Sequence, residues 1–229
     1  MTRRTGLRRY LAEFVVVFVG VVLAFAVENL REDLNERAVG DEYLAGFSQD
    51  LAADLEMLQA QYEARQDQLA NASVVLEFFE GRAIAPQAFF ERYYVALLIL
   101  NTRPNRITIE EVLSSGSLRL IRDAEIRTGL LDLYATYDRI AVLEEHMYRD
   151  FESYLYDPTF SSVPLQIEGP WPDTSENRNR VEALLSDVRI ENGFRLLVAN
   201  LEMPEVGLFA ELELARSQTK LLLELMRAE

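Results

Sequence analysis

Four arginines (Arg3, Arg4, Arg8, Arg9) precede an apolar run from Phe14 to Val27, and a polar flank begins at Glu28. The run is 14 residues long, about 21 Å of helix at ~1.5 Å per residue. Extended to Leu11 and Leu30, it reaches the ~20 residues that cross a hydrocarbon core, with Glu13 and Glu28 near its two ends. Lysine and arginine stay on the cytoplasmic side of a first helix. The pattern therefore predicts a cytoplasmic basic tail over 1–10, a transmembrane helix over 11–30 and an extracytoplasmic helical domain over 31–229. A cleaved signal peptide is the rival reading, because the run is short and Ala24-Phe25-Ala26 fits a small-residue cleavage site. The helical pattern continues through Glu28-Asn29-Leu30-Arg31-Glu32 without a break, which favours an uncleaved anchor.

Beyond the span the apolar positions keep a helical period. Leu44, Phe47, Leu51, Leu55, Leu58, Tyr62, Leu69, Leu76 and Phe79 fall on one face. Gly40 and Gly46 lie between anchor and face; each costs ~1 kcal/mol against alanine in a helix interior, so a kink or hinge near Gly40 is expected. Gly81 ends the element. Pro86 suits the first turn of a second helix, carrying Phe89, Phe90, Tyr93, Tyr94 and Val95–Leu100. Arg103-Pro104-Asn105 breaks the pattern. Thr108-x-x-Glu111 reads as a capping box, and Gly116 as the left-handed residue closing that short helix. Asp123 caps a long helix to about Tyr156, striped by Ile126, Leu130, Leu133, Tyr137, Ile140, Met147, Phe151 and Tyr154. Residues 157–174 hold four of the seven prolines and predict a long loop. Three closing helices follow: Ser175 to Leu185, Ile190 to Glu202 and Glu205 to Arg227, with Pro204 at the start of the last. The fold class is all-α, an N-terminal transmembrane helix followed by an extracytoplasmic helical bundle.

Charge narrows the partners. The chain has 23 basic and 38 acidic side chains and a formal charge of -15. Without the four N-terminal arginines and Glu13, 19 basic residues face 37 acidic ones, or -18. Such a domain repels nucleic acid and does not lie flat on an anionic membrane through basic contacts. Cysteine is absent, which removes disulfides, thiolate nucleophiles and cysteine metal sites. A chain of this length buries a core without staples.

Two stretches carry a resemblance. The run from Glu13 through Gly20, Val21 and Ala24, followed by Glu28-Asn29-Leu30-Arg31-Glu32, and the segment Leu113-Ser114-Ser115-Gly116-Ser117-Leu118-Arg119-Leu120-Ile121-Arg122 with Ile126-Arg127 and Tyr134, resemble a group of uncharacterised bacterial single-span membrane proteins. That group carries an E-x-x-V-V-x-x-G-V-x-x-A anchor and an S-S-G-x-L-x-L-I motif. The resemblance covers about a quarter of the chain. It departs at Leu30, where the group has tryptophan. It implies a membrane-anchored helical domain of unknown function and supplies no catalytic residues. The location expected is the bacterial inner membrane, N-terminus cytoplasmic and domain periplasmic.

Candidate chemistry is sparse. His146, the one histidine, stands a turn from Asp150, but a metal site needs three or four ligands. Ser114, Ser115 and Ser117 flank a glycine without a nucleophile-elbow pattern. No catalytic, cofactor-binding or metal residue is assigned, and no cofactor is expected. Two features have a better claim. Glu13, Gly20 and Ala24 lie close to one face of the span, and Gly20-x3-Ala24 is a small-x3-small pair that lets helices approach closely. An acidic residue at membrane depth is a pairing candidate. Phe160, Leu165, Ile167 and Trp171 are apolar residues of the long loop, which dock either on the protein's own core or on a partner. The expected function is a membrane-anchored, non-catalytic helical interaction module or accessory subunit of a larger membrane assembly. Its partners are the lipid bilayer and a protein in the membrane, or a second copy. The alternative is a periplasmic ligand-binding sensor domain acting through a membrane partner. An enzyme of unknown type is the third class.

Overall fold

The structure is a computed structural model that describes residues 3–82, 85–156, 158 and 171–228; side chains are described from Phe14, with Val15 and Val16 excepted. Among the described residues every regular element is helical. The elements are α1 (Arg3–Phe79), α2 (Pro86–Ala96), α3 (Ile107–Ser114), a 3-10 turn (Ser117–Leu120), α4 (Ala124–Asp150) running on as a π-helical turn (Phe151–Tyr156), α5 (Ser175–Leu185), α6 (Val188–Glu202) and α7 (Leu208–Ala228).

Helix α1 is continuous over 77 residues, and the segment boundaries read at 10/11 and 30/31 fall inside it. The helix is unbroken at Gly40, where a kink or hinge was expected, and the glycine has a packing reason. The Leu120 carbonyl comes so close that a Cβ on Gly40 would stand 2.5 Å from its oxygen. N-terminal to that contact α1 is largely bare. From Val17 to Asn35 every residue is exposed, Phe25 by 68%. Gly40 is the first buried one. Among the described residues no helix is long and apolar enough to cross a membrane. The contiguous apolar stretch with described side chains, Val17 to Val27, is 11 residues, short of the ~20 a span requires.

The remainder of α1 is the spine of the bundle. It packs against α2, α6 and α7, and α7 packs along α4. Phe47, Leu51, Leu58, Ala72 and Val75 are fully buried; Leu44, Leu55, Tyr62, Leu69, Leu76 and Phe79 are half-buried around them. Proline at the first position starts α2. That helix stops at Ala96, earlier than its apolar run, and Leu97–Leu100 continue as irregular backbone. Asp123 caps α4, its Oδ1 accepting from the N–H groups of Glu125 (2.6 Å) and Ile126 (3.1 Å). The α4 stripe is buried from Ile126 to Phe151, whereas Tyr154 is exposed. Gly116, at φ +69°, follows the C-terminus of α3 in the left-handed region that glycine adopts without steric cost.

Two local expectations are corrected. Thr108 does not open a capping box: α3 begins at Ile107, whose N–H donates to Asn105 Oδ1 (3.1 Å), and Thr108 is buried with its N–H on Asp50 Oδ2 of α1 (3.3 Å). Pro204 does not open the last helix either. It lies in a turn with the Gly207 N–H on the Met203 carbonyl (2.8 Å), and α7 starts at Leu208.

Candidate functional site

The buried face of α1 is not uniformly apolar. Phe47, Leu51, Asp54, Leu58, Gln61, Arg65, Gln68, Ala72 and Val75 follow one another in steps of four and three, the spacing of a heptad seam. Asp54, Arg65 and Gln68 occupy core positions, 2%, 3% and 1% exposed. Such burial is tolerated only when the polar atoms are paired.

Their partners lie in the strap that joins α2 to α3. Gln68 Nε2 donates to the Ala96 (3.0 Å) and Leu98 (2.9 Å) carbonyls. Arg65 Nη2 donates to the Leu100 carbonyl (2.6 Å) and to Glu144 Oε1 on α4 (3.0 Å). Gln61 Nε2 donates to the Asn101 carbonyl (3.1 Å). Glu144 also accepts from the Thr102 N–H (2.9 Å) and hydroxyl (2.8 Å). Asp54 accepts from the Asn105 N–H (2.8 Å) and the Tyr137 hydroxyl (3.1 Å), and Asp50 accepts from Asn105 Nδ2 (2.6 Å). The Tyr134 and Tyr156 hydroxyls donate to the Asn105 (2.9 Å) and Leu97 (2.8 Å) carbonyls. Backbone that leaves a helix inside a protein needs such donors and acceptors. The strap therefore clamps α1 to α4.

Burial sets the electrostatics of this clamp. It pushes the Asp54 carboxyl above its ordinary value, against the pull of the Asn105 N–H and the Tyr137 hydroxyl; neighbouring Asp50 adds to the rise. Burial lowers Arg65, and Glu144 opposes that shift. Burial likewise raises the Tyr137 and Tyr134 hydroxyls, and pushes Tyr156 up to about 12. The Asp50, Asp54 and Glu144 carboxylates are occupied by donors of the strap, Thr108, Tyr137 and Arg65. The space beside Arg65 and Glu144 is about 20 Å³, room for about one water.

The residues singled out from sequence lie elsewhere. Glu13 is on α1, with its side chain outside the described residues. Gly20 and Ala24 are on the bare part of that helix; a Cβ on Gly20 would meet nothing within 4 Å. Phe160, Leu165 and Ile167 lie outside the described residues. Trp171 is docked on the protein's own core, 6% exposed and stacked on Phe90 with ring centroids 3.8 Å apart. His146 is exposed, and Asp150 accepts from Asn200 Nδ2 (3.3 Å). Among the described residues no group of three or more histidine, aspartate or glutamate side chains is placed to hold a metal ion. The Ser114 and Ser115 hydroxyls donate to the Glu111 carbonyl (3.0 and 2.8 Å) at the end of α3.

Sequence reasoning missed the polar clamp. The signal was present in the four-three spacing of Asp54, Arg65 and Gln68, but a search for apolar periodicity passes over polar residues on the same line. No protein-family model matches the chain, and neither the curated proteins nor the solved structures provide a match.

Proposed function

We propose that the protein is a membrane-anchored, non-catalytic helical interaction module, an accessory subunit of a larger membrane assembly. The anchor is the first part of α1 in the bacterial inner membrane, with the basic tail cytoplasmic and the bundle periplasmic. One observation carries the reading: α1 runs out of the bundle with exposed apolar side chains on every side, from Val17 to Val27. Soluble monomers rarely expose apolar surface on that scale. Val15, Val16 and the extension to Leu11 and Leu30 bring the segment to spanning length. The resemblance to the single-span group supports the same assignment.

A bare tether needs only apolar bulk. Gly20 and Ala24 provide in addition a face on which a neighbouring helix, of another subunit or a second copy, packs closely. The Asp50, Asp54 and Glu144 carboxylates are engaged in holding the strap, which favours an interaction role over catalysis at the clamp. The test is Gly20→Leu, which preserves hydrophobicity. The variant is expected to insert normally and to lose co-purifying partners or self-association in mild detergent. Full retention of every native contact would reduce the helix to a tether.

A further inference from the structure

Where α1 enters the bundle, Arg37, Gly40, Asp41 and Leu44 form one wall of a cavity of about 260 Å³. Leu120 and Arg122 form the other. The walls are held together by the close approach of the Leu120 carbonyl to Gly40. Arg37, Asp41 and Arg122 are exposed, and none belongs to an ion pair among the described residues, although Arg37 and Asp41 are one helical turn apart. Several arginines elsewhere are paired, Arg65 with Glu144, Arg139 with Glu211 and Arg195 with Glu191. The nearby Glu36 is taken by Arg119 at 2.8 Å. The cavity thus offers two guanidinium groups, one carboxylate and an apolar wall of Leu44 and Leu120.

We propose that this cavity binds the headgroup of a zwitterionic phospholipid that carries a primary ammonium, of the phosphoethanolamine type. Arg37 and Arg122 hold the phosphodiester and Asp41 holds the ammonium. The proposal rests on the membrane-anchor reading of α1. Guanidinium forks match phosphate oxygens, and a carboxylate accepts from an ammonium. Arg37 stands seven residues beyond Leu30, roughly 10 Å of helix. The headgroup layer extends about 5–7 Å past the hydrocarbon on each side, and arginine stems reach across the rest. The -18 charge of the domain disfavours a purely anionic surface. A headgroup with separated charges and no net charge fits both the cavity and that field.

The test uses the full chain in nanodiscs of equimolar phosphatidylethanolamine, phosphatidylcholine and phosphatidylglycerol, with bound lipids read by native mass spectrometry. Phosphatidylethanolamine is expected to be enriched on the protein. Arg37→Ala and Arg122→Ala are each expected to weaken retention about five-fold, the scale of one basic contact at a lipid surface. Asp41→Asn is expected to keep phospholipid but lose the preference over phosphatidylcholine. Enrichment of phosphatidylglycerol, or equal retention by the double arginine variant, overturns the proposal. Displacement by free phosphoethanolamine at matched concentration assigns the cavity to a soluble ligand and overturns the lipid source. A chain that enters the disc without lipid preference removes this site alone; a chain that does not enter removes the anchor and the site with it.

Discussion

Arg65 on α1 and Glu144 on α4 meet at 3.0 Å with side chains 3% and 7% exposed, 79 residues apart in sequence. The pair fixes the spine of the bundle to its central helix through the strap, because both side chains also bind strap backbone. Removing one partner of a buried pair leaves an uncompensated charge, at a cost of ~3–5 kcal/mol. Glu144→Ala is expected to lose stability on that scale, since it also strips the Thr102 N–H of its acceptor. Chemical unfolding of the wild type and the variant checks this. A loss within the range of an exposed pair, ~0–1 kcal/mol, would show that the clamp does not hold the helices.

Gly40 and Gly20 are predicted to respond differently to the same change. Alanine improves helix propensity by ~1 kcal/mol at either position. At Gly40 the new methyl would meet the Leu120 carbonyl at 2.5 Å, a backbone atom that yields only if the 3-10 turn moves. Overpacking of this kind costs ~1–3 kcal/mol, so Gly40→Ala lowers the melting temperature. Gly20→Ala, with open space around it, leaves the bundle unchanged. Equal melting temperatures for both variants would contradict the contact.

Asp54 gives the clamp a dependence on pH with a definite sign. Its carboxyl titrates above the ordinary value of 3.8 because burial disfavours the charge. In the window from that value up to its folded pKa, the folded chain keeps a proton that the unfolded chain has lost. Stability from this group is therefore greatest at the acid end, falls as pH rises through the window, and stays at the lower level above it. Asp54→Asn keeps an acceptor for the Asn105 N–H and removes the titration. Urea midpoints between about pH 3.5 and 7 should show the wild type gaining on the variant as pH falls. A wild type that loses ground on acidification would reverse the assignment.

Much of the bundle was legible because local chemistry agreed with tertiary structure. Asp123 caps α4, Gly116 takes the left-handed conformation after α3, and α5 has the bounds read from its pattern. The failures share a cause. Thr108 was read from a local motif, but Asp50, 58 residues away, draws its N–H into the bundle. The end of α2 at Ala96 depends on Gln68, whose amide takes two carbonyls that a longer helix would use internally. Gly40 was assessed by its propensity, yet its reason is a carbonyl on another element. The polar members of the seam were invisible because their partners lie across the fold, and apolar periodicity does not register an arginine or aspartate paired there.

The central claim is that α1 is an uncleaved anchor with the bundle outside the cytoplasm. A reporter active only in the cytoplasm, fused after Glu229, tests it most directly. The account predicts a silent reporter on a chain that remains with the membrane after alkaline washing. An active reporter, or release of the chain into the wash, would contradict it.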